Sequence, residues 1–454
     1  MRVMGIDIGT TSISMVLVDA ETGALTTRET VNHASFIDDG CPVGKAQDPA
    51  RILSIALDRY AALVREYGLP AAIGLTGQMH GMLYVDARGE AVSPLYTWQD
   101  GRGNLPMAGG CSYARYLRDS GAGAAASGYG LTTHFYLSRN GQVPAGAAHM
   151  TTISDYLAMK LTGSAEPVLG ADMAASWGCF DLERRAFRLN ALKALGVDIS
   201  LLPRVEPGYA IVGRTPEGVP VMLSAGDNQA SVLGSVQDVA NTVLINIGTG
   251  SQVSFGADRY YDCEGAIELR PCGGSGYICV GSGLCGGRAY AMLEQFYREV
   301  SGQDAPLYDR MLAQAEAFID QCGKDAAWRV RTTFSGTRSN PDERGGIEGI
   351  GVENFRPGAL TAGVIAGILD ELYGEYRQMC RLTGAQALAL VGSGNGLRRN
   401  PLMRRMAGEM FGMPLRVPVH QEEAAFGAAL CAMAAAGIAP SLREAQALIR
   451  YETL

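Results

Sequence analysis

Short apolar runs that stop at glycine punctuate both halves of the chain. In the first half, positions 3–8 are apolar but for one aspartate. Runs 14–19 and 25–31 follow after the turns Gly9-Thr10-Thr11-Ser12 and Glu21-Thr22-Gly23. This spacing predicts three consecutive strands. From 49 to 67 the period changes, placing Ile52, Ile55, Ala56, Leu63 and Val64 on one face of a helix. A strand over 71–76 then ends in Gly77-Gln78-Met79-His80-Gly81. The second half repeats the scheme: a strand at 242–247, a Gly-Thr-Gly-Ser turn, and a return at 252–256. Helical sequence at 360–383 precedes a strand at 387–391 that ends in Gly392-Ser393-Gly394-Asn395-Gly396. Helices over 401–411 and from about 422 close the chain.

The repeat is also visible in single residues. Ile6-Asp7-Ile8-Gly9-Thr10-Thr11-Ser12 returns as Ile245-Asn246-Ile247-Gly248-Thr249-Gly250-Ser251, with five of seven positions identical. A strand that ends in glycine and hydroxyl residues exposes backbone N–H groups in a small hollow suited to phosphate oxygens. Two such loops facing each other would hold a nucleotide triphosphate, which points to an ATP-using enzyme. Three strands, a helix and a further strand open a ribonuclease-H-like domain. The expected fold is therefore α/β, two ribonuclease-H-like (actin-like ATPase) domains with an interdomain cleft. The expected division is 1–240, carrying an insertion-like stretch over 101–220, and 241–454.

Composition narrows the classes. At 454 residues the chain is too long for one ordinary core. Net charge is −8, and basic residues cluster only in pairs such as Arg398-Arg399, which argues against nucleic-acid or anionic-membrane partners. The ten cysteines form no C-x-x-C pair, and reduced thiols of a cytoplasmic protein are expected. The start, Met1-Arg2-Val3-Met4-Gly5-Ile6-Asp7, puts a charged residue inside the first strand and does not read as a signal peptide. No run of 18 apolar residues occurs, and the Ala-rich stretch 424–438 reads as a packed helix. The sequence leaves oligomeric state open, a homodimer included.

Several segments together resemble the FGGY carbohydrate kinases: the Gly-Ile-Asp-Ile-Gly-Thr-Thr start, the Gly-Gln-Met-His-Gly loop, Trp98-Gln99-Asp100-Gly101-Arg102 and Ala225-Gly226-Asp227-Asn228. The likeness runs from Gly5 to about Gly427. Within the family, Thr97–Arg102, Ala174-Ala175-Ser176-Trp177-Gly178, Glu206-Pro207-Gly208 and Gly226–Val232 are most similar to the sedoheptulokinase branch. Gln99 stands where xylulokinases usually have Asn. The chain lacks the family's Lys-x-x-Trp-Leu run, with Arg139-Asn140-Gly141-Gln142 in that region, and meets the second family signature only in part at 345–350.

Particular residues carry the chemistry this implies. Phosphoryl transfer asks a protein to position reactants, neutralise charge and exclude water. Asp7, inside an apolar run and just before a phosphate turn, reads as a Mg2+ ligand acting through water; the alternative is an aspartate that caps its own turn. Asp227 follows a strand expected at 219–223. It reads either as the general base for a sugar hydroxyl or as the N-cap of a helix starting near Gln229. The family resemblance assigns it the base. Gly9, Thr10, Thr11, Gly248, Thr249 and Gly250 would clasp the phosphates, and Gly392, Ser393, Gly394 and Asn395 would receive the adenosine. Gly281-Ser282-Gly283 and Gly286-Gly287 are candidates for the same pocket. For the sugar, Gln78, Met79, His80, Trp98, Asp100 and Asn228 supply donors, acceptors and an apolar wall; core packing is the alternative for His80 and Trp98. His134, in the loop 129–134, is as well placed for a structural role as for the sugar.

The expectation is an ATP- and Mg2+-dependent ketose kinase with a small-molecule sugar and ATP as partners, most similar to enzymes that phosphorylate the 7-hydroxyl of sedoheptulose. A pentulokinase such as a xylulokinase, or a non-catalytic sugar- or nucleotide-binding regulator on the same fold, are the rivals.

Overall fold

The computed structural model describes all residues except 264, 275, 338, 339, 341, 453 and 454. The chain divides into two compact units. Unit 1 comprises Met1–Gln237, Arg270–Gly276 and Glu422–Ile449; unit 2 comprises Asp238–Leu269, Tyr277–Gln421 and Arg450–Leu454.

Unit 1 is built on a six-stranded sheet. Its strands are β1 (Arg2–Ile8), β2 (Ser12–Asp19), β3 (Leu25–Asn32), β4 (Ile73–Gly77), β5 (Ile211–Arg214) and β6 (Pro220–Gly226), in the order β5-β6-β4-β1-β2-β3. β1 runs antiparallel to β2 and parallel to β4, and β4 is parallel to β6. Strands covered on both faces read as continuous apolar runs, as β1 does, whereas β3 at the edge has no fully buried position. The helix Pro49–Tyr67 starts as its sequence dictates, with Asp48 accepting from Ala50 and Arg51 N–H and proline in its first turn.

The Ala-rich helix Glu423–Ala435 lies on this sheet. A Cβ at Gly5 would stand 1.8 Å from the Ala425 carbonyl oxygen, and one at Gly74 would stand 1.9 Å from that of Ala428. The helix is thus seated almost on bare backbone, which only glycine permits. Gly234 and Gly427 allow an equally close approach between this helix and the helix Asp227–Ser235. Residues 422–449 therefore complete unit 1, a correction to the expected grouping of 241–454. The helix is apolar all round, as a helix with no exposed face must be, and so its sequence does not say which core it joins.

The stretch 101–220 is more than an elaboration of loops. Trp177, Phe135, Leu131, Met173 and Phe187 join Tyr84 and Met79 in a second core, and the Trp177 indole N–H donates to the Gly81 carbonyl at 3.0 Å. This core fixes the loop after β4.

In unit 2, β7 (Thr242–Ile247), β8 (Ser251–Ala257), β9 (Gly276–Gly283), β10 (Ala389–Ser393) and β11 (Leu415–Arg416) lie in the order β9-β8-β7-β10-β11. β7 is antiparallel to β8 and parallel to β10, the same neighbours that β1 has in unit 1. The repeat seen in sequence is thus a repeat of topology. Gly281-Ser282-Gly283 forms the end of β9. Among the described residues no helix is long and apolar enough to cross a membrane.

Candidate active site

In unit 1 the sheet register decides which residues meet. β1, β4 and β6 are parallel and end level: Ile8 pairs with Gly77, and Gly77 with Gly226. The residues just beyond are Gly9, Gln78 and Asp227, side by side at the carboxyl edge, where α/β sheets bind ligands. Asp7 lies one residue before the end of β1. Burial pushes its carboxyl up to about 7, with the charges of Asp227 and Glu422 adding to the effect. Burial likewise raises Asp227 to about 6, opposed by the N–H of Asn228 and the guanidinium of Arg270. Asp227 Oδ1 accepts from Asn228 N–H at 2.7 Å, and Asn228 Oδ1 accepts from Arg270 Nη1 at 3.1 Å. Asp227 is the first residue of its helix; Gly226 occupies the N-cap.

The turn after β1 is braced from several sides. Gly9 N–H donates to the Ser12 carbonyl. The Thr10 carbonyl accepts from Gln47 Nε2 at 2.6 Å, Gln47 Oε1 accepts from Gln78 Nε2 at 3.0 Å, and the Trp98 indole donates to Thr10 Oγ1 at 3.0 Å. His33 Nε2 donates to the Gly9 carbonyl at 3.1 Å while Ser35 donates to its Nδ1 at 2.7 Å; burial holds this imidazole below its usual value and neutral. Thr11 is exposed. Asp7 Oδ1 and Gln78 Oε1 are enclosed and have no hydrogen-bond partner among the described residues. Buried acceptors are rarely left so unless something else supplies the donor or cation.

Of the residues read as sugar partners, two, Asp100 and Met79, are enclosed. Asp100 is enclosed: it accepts from Arg102 and Lys45 backbone N–H and pairs with the Arg102 guanidinium, which also holds Asp39. It therefore clamps the loops 39–45 and 97–102 rather than facing a ligand. Met79 is buried in the second core, its sulfur under Gly226. His80 adopts the left-handed conformation (φ 72°), donates its backbone N–H to Ser176 Oγ and its Nδ1–H to the Ser176 carbonyl, and stacks on Tyr129 at 4.6 Å. Trp98 remains 47% exposed. His134 is buried, with its Nδ1 hydrogen-bonded to the Tyr84 hydroxyl at 2.6 Å.

Unit 2 presents the second turn. Gly248, Thr249 and Gly250 are exposed. The helix Gly286–Ser301 starts against them: Gly287 N–H donates to the Gly248 carbonyl and Arg288 N–H to that of Thr249. A Cβ at Gly287 would lie 2.1 Å from the Gly248 oxygen, and one at Gly394 would lie 2.5 Å from the Ile247 oxygen. The turns at 248–250, 286–287 and 392–395 thus converge. Ser393, expected at the nucleotide, is buried and accepts from Asn246 Nδ2 at 2.7 Å, so its hydroxyl ties β7 to β10. Asn395 is exposed at the start of a short helix.

Sequence reading did not find Glu422, Arg270, Gln47 or His33. Each reaches the strand ends from a distant segment, and no local spacing marks it; Glu422 and Arg270 are the two charges flanking the Asp7–Asp227 pair.

Comparison with known proteins is unambiguous at family level. Residues 2–234 match the N-terminal domain, and 264–436 the C-terminal domain, of the FGGY family of carbohydrate kinases. The sedoheptulokinase of Mus musculus is 30% identical over 94% of this chain and 96% of its own length. Among solved structures, xylulose kinase from Rhodospirillum rubrum (TM-score 0.84, 20% identity, 100% of this chain and 93% of that one) shares the fold. So does Plasmodium falciparum glycerol kinase with ADP (TM-score 0.84, 17% identity, 100% and 93%). The chain belongs to the FGGY family, has the two-domain actin-like ATPase fold, and is a sugar kinase.

Proposed function

As a carbohydrate kinase of the FGGY family, this chain, we propose, transfers the γ-phosphate of ATP to the 7-hydroxyl of sedoheptulose, with Asp227 as general base. The observation that carries the reading is the carboxylate of Asp227 at the end of β6, level with the glycine turn of β1 and raised to about 6. At neutral pH such a group is mostly ionised yet basic enough to take a proton. As the sugar oxygen bonds to phosphorus and the bond to ADP breaks, the hydroxyl proton passes to Asp227. His80, Trp98, Gln78 and Asn228 are the sugar's polar and apolar surroundings, and Asp100 acts on it only by holding the loop of Trp98.

On the nucleotide side, the Gly248–Gly250 turn of unit 2 supplies backbone N–H groups to phosphate and the Gly392–Asn395 turn of the same unit lies against the adenosine; in unit 1 the Gly9–Thr11 turn offers its own N–H groups to phosphate oxygens. Asp7 is the residue for Mg2+. Its unpartnered Oδ1 and the like charges of Asp227 and Glu422 fit a divalent cation. Mg2+ takes one or two carboxylates and completes its shell with water and phosphate. The metal would neutralise the charge on the transferring phosphates. The ten cysteines are all free thiols, which suits the cytoplasm, where we place the protein.

A coupled assay over a panel of ketoses tests the assignment. Turnover on sedoheptulose supports it, turnover on xylulose alone would make the chain a pentulokinase, and binding of sugar without turnover would make it a regulator.

A further inference from the structure

The strand that delivers Asp227 outruns its neighbour. β5 pairs with β6 only through Pro220, Val221 and Met222, and the last cross-strand bond on that side is from Leu223 N–H to the Ala210 carbonyl. On its other side β6 continues to pair with β4 through Ser224, Ala225 and Gly226. The register is irregular between Val221 and Ser224; beyond it alternate N–H groups point the same way, and those of Ser224 and Gly226 face the edge away from β4, where no strand pairs with them. Two buried carboxylates stand there instead. Asp155 Oδ1 accepts from Ser224 N–H at 2.9 Å, and Asp172 Oδ2 accepts from Gly226 N–H at 3.0 Å.

Asp155 and Asp172 are 1% and 3% exposed. Burying an ionisable group in this way is costly, and an apolar edge or a longer β5 would avoid the cost. Asp172 is moreover engaged at both oxygens by donors alone: Oδ1 accepts from Met173 N–H at 2.8 Å, and Oδ2 from Gly226 N–H and, at 3.2 Å, from the Tyr209 hydroxyl. Only a group with two acceptor oxygens satisfies all three. An asparagine would turn its NH2 toward a donor whichever way it faced.

We propose that Asp172 is a positioning residue for phosphoryl transfer: its carboxylate replaces the missing strand at the end of β6 and fixes the Gly226–Asp227 peptide, and with it the direction of the Asp227 side chain. Tyr209 holds the carboxylate in place, and Asp155 does the same work two residues earlier. Asp172 touches no substrate; it acts through Gly226. Gly226 itself has no room to shift, since a Cβ there would lie 2.6 Å from Gln229 Oε1 and 2.8 Å from the Met79 sulfur. A misplacement of about 1 Å at a reacting group costs on the order of 100-fold in rate, so a small loosening here reads out in kcat and not in sugar binding.

This inference rests on Asp227 as the base, and the test separates the two. Wild type, Asp227→Asn, Asp172→Asn, Tyr209→Phe and the double variant Asp172→Asn/Asp227→Asn are assayed for kcat and KM on the turned-over ketose. Melting temperature and sugar affinity are measured alongside. Wild-type rates in Asp227→Asn would remove the base assignment, and the inference with it. If that variant is inactive, Asp172→Asn is expected to lose about 10- to 100-fold in kcat with KM within about threefold. The double variant should be no slower than Asp227→Asn alone, because Asp172 has no route to the reaction except through the base. If Asp172→Asn does not fold, Tyr209→Phe carries the test, with a several-fold fall in kcat at unchanged KM. Wild-type kcat in the folded Asp172→Asn protein, a loss confined to KM, or an additive loss in the double variant would overturn the inference, as would wild-type kcat in Tyr209→Phe where that variant decides.

Discussion

Two acidic residues carry the account at the smallest scale, and their environments separate their tasks. Asp227 must be unprotonated to accept a proton, and its carboxyl titrates at about 6. The acid limb of kcat/KM should therefore fall away below about pH 6, and a pH–rate profile on the preferred ketose checks it; a limb near the ordinary carboxylate value would point to another base. Asp7 has an effect on stability as well. Its carboxyl is raised from 3.8 to about 7, so the folded chain binds more protons than the unfolded one between those values. Stability contributed by this group is full below about pH 4 and is lost as pH rises to about 7. Asp7→Asn should consequently stabilise the metal-free protein at pH 8 by roughly 1–3 kcal/mol, show no gain at pH 4, and abolish transfer. Denaturant melts at the two pH values decide it, and equal midpoints for variant and wild type at pH 8 would contradict it. Both aspartates were legible in sequence because each interrupts or ends an apolar run. Glu422 and Arg270, which set their charge environment, were not: each is distant along the chain and lies in no motif. Asp100 was legible as important but not as internal, since its pairing with Arg102 and Asp39 depends on two loops meeting.

At the scale of elements, glycine decides what can pack. Gly5 and Gly74 admit the backbone of Glu423–Ala435 to the sheet that carries Asp7 and Gln78. A methyl group at Gly74 has backbone, not a flexible side chain, in its way. Gly74→Ala should therefore cost at least about 2 kcal/mol, measured as a lower denaturant midpoint, with sugar and nucleotide sites affected only through lost fold. An unchanged midpoint would mean that the helix does not rest there. Periodicity gave most element boundaries to within two residues, because the inner strands of this sheet are buried on both faces and read as plain apolar runs. It could not give the second core of 101–220, where Phe135, Met173 and Trp177 come from short helices and their ends with no shared period.

For the whole molecule, the internal repeat was the feature most fully readable from sequence: β7 has the same antiparallel and parallel neighbours as β1. The return of 422–449 to unit 1 was not readable, since an all-apolar helix fits any core. The family follows from matches across both units; the stacking of His80, a proposed sugar partner, on Tyr129 joins segments that no local pattern links. The most direct test of the central claim is transfer of labelled γ-phosphate from Mg-ATP to sedoheptulose by wild type and by Asp227→Asn, with the product located by NMR. The account predicts the 7-phosphate from wild type, and from the variant sugar binding with transfer reduced at least about 100-fold. Phosphate on no ketose, or variant rates equal to wild type, would contradict it.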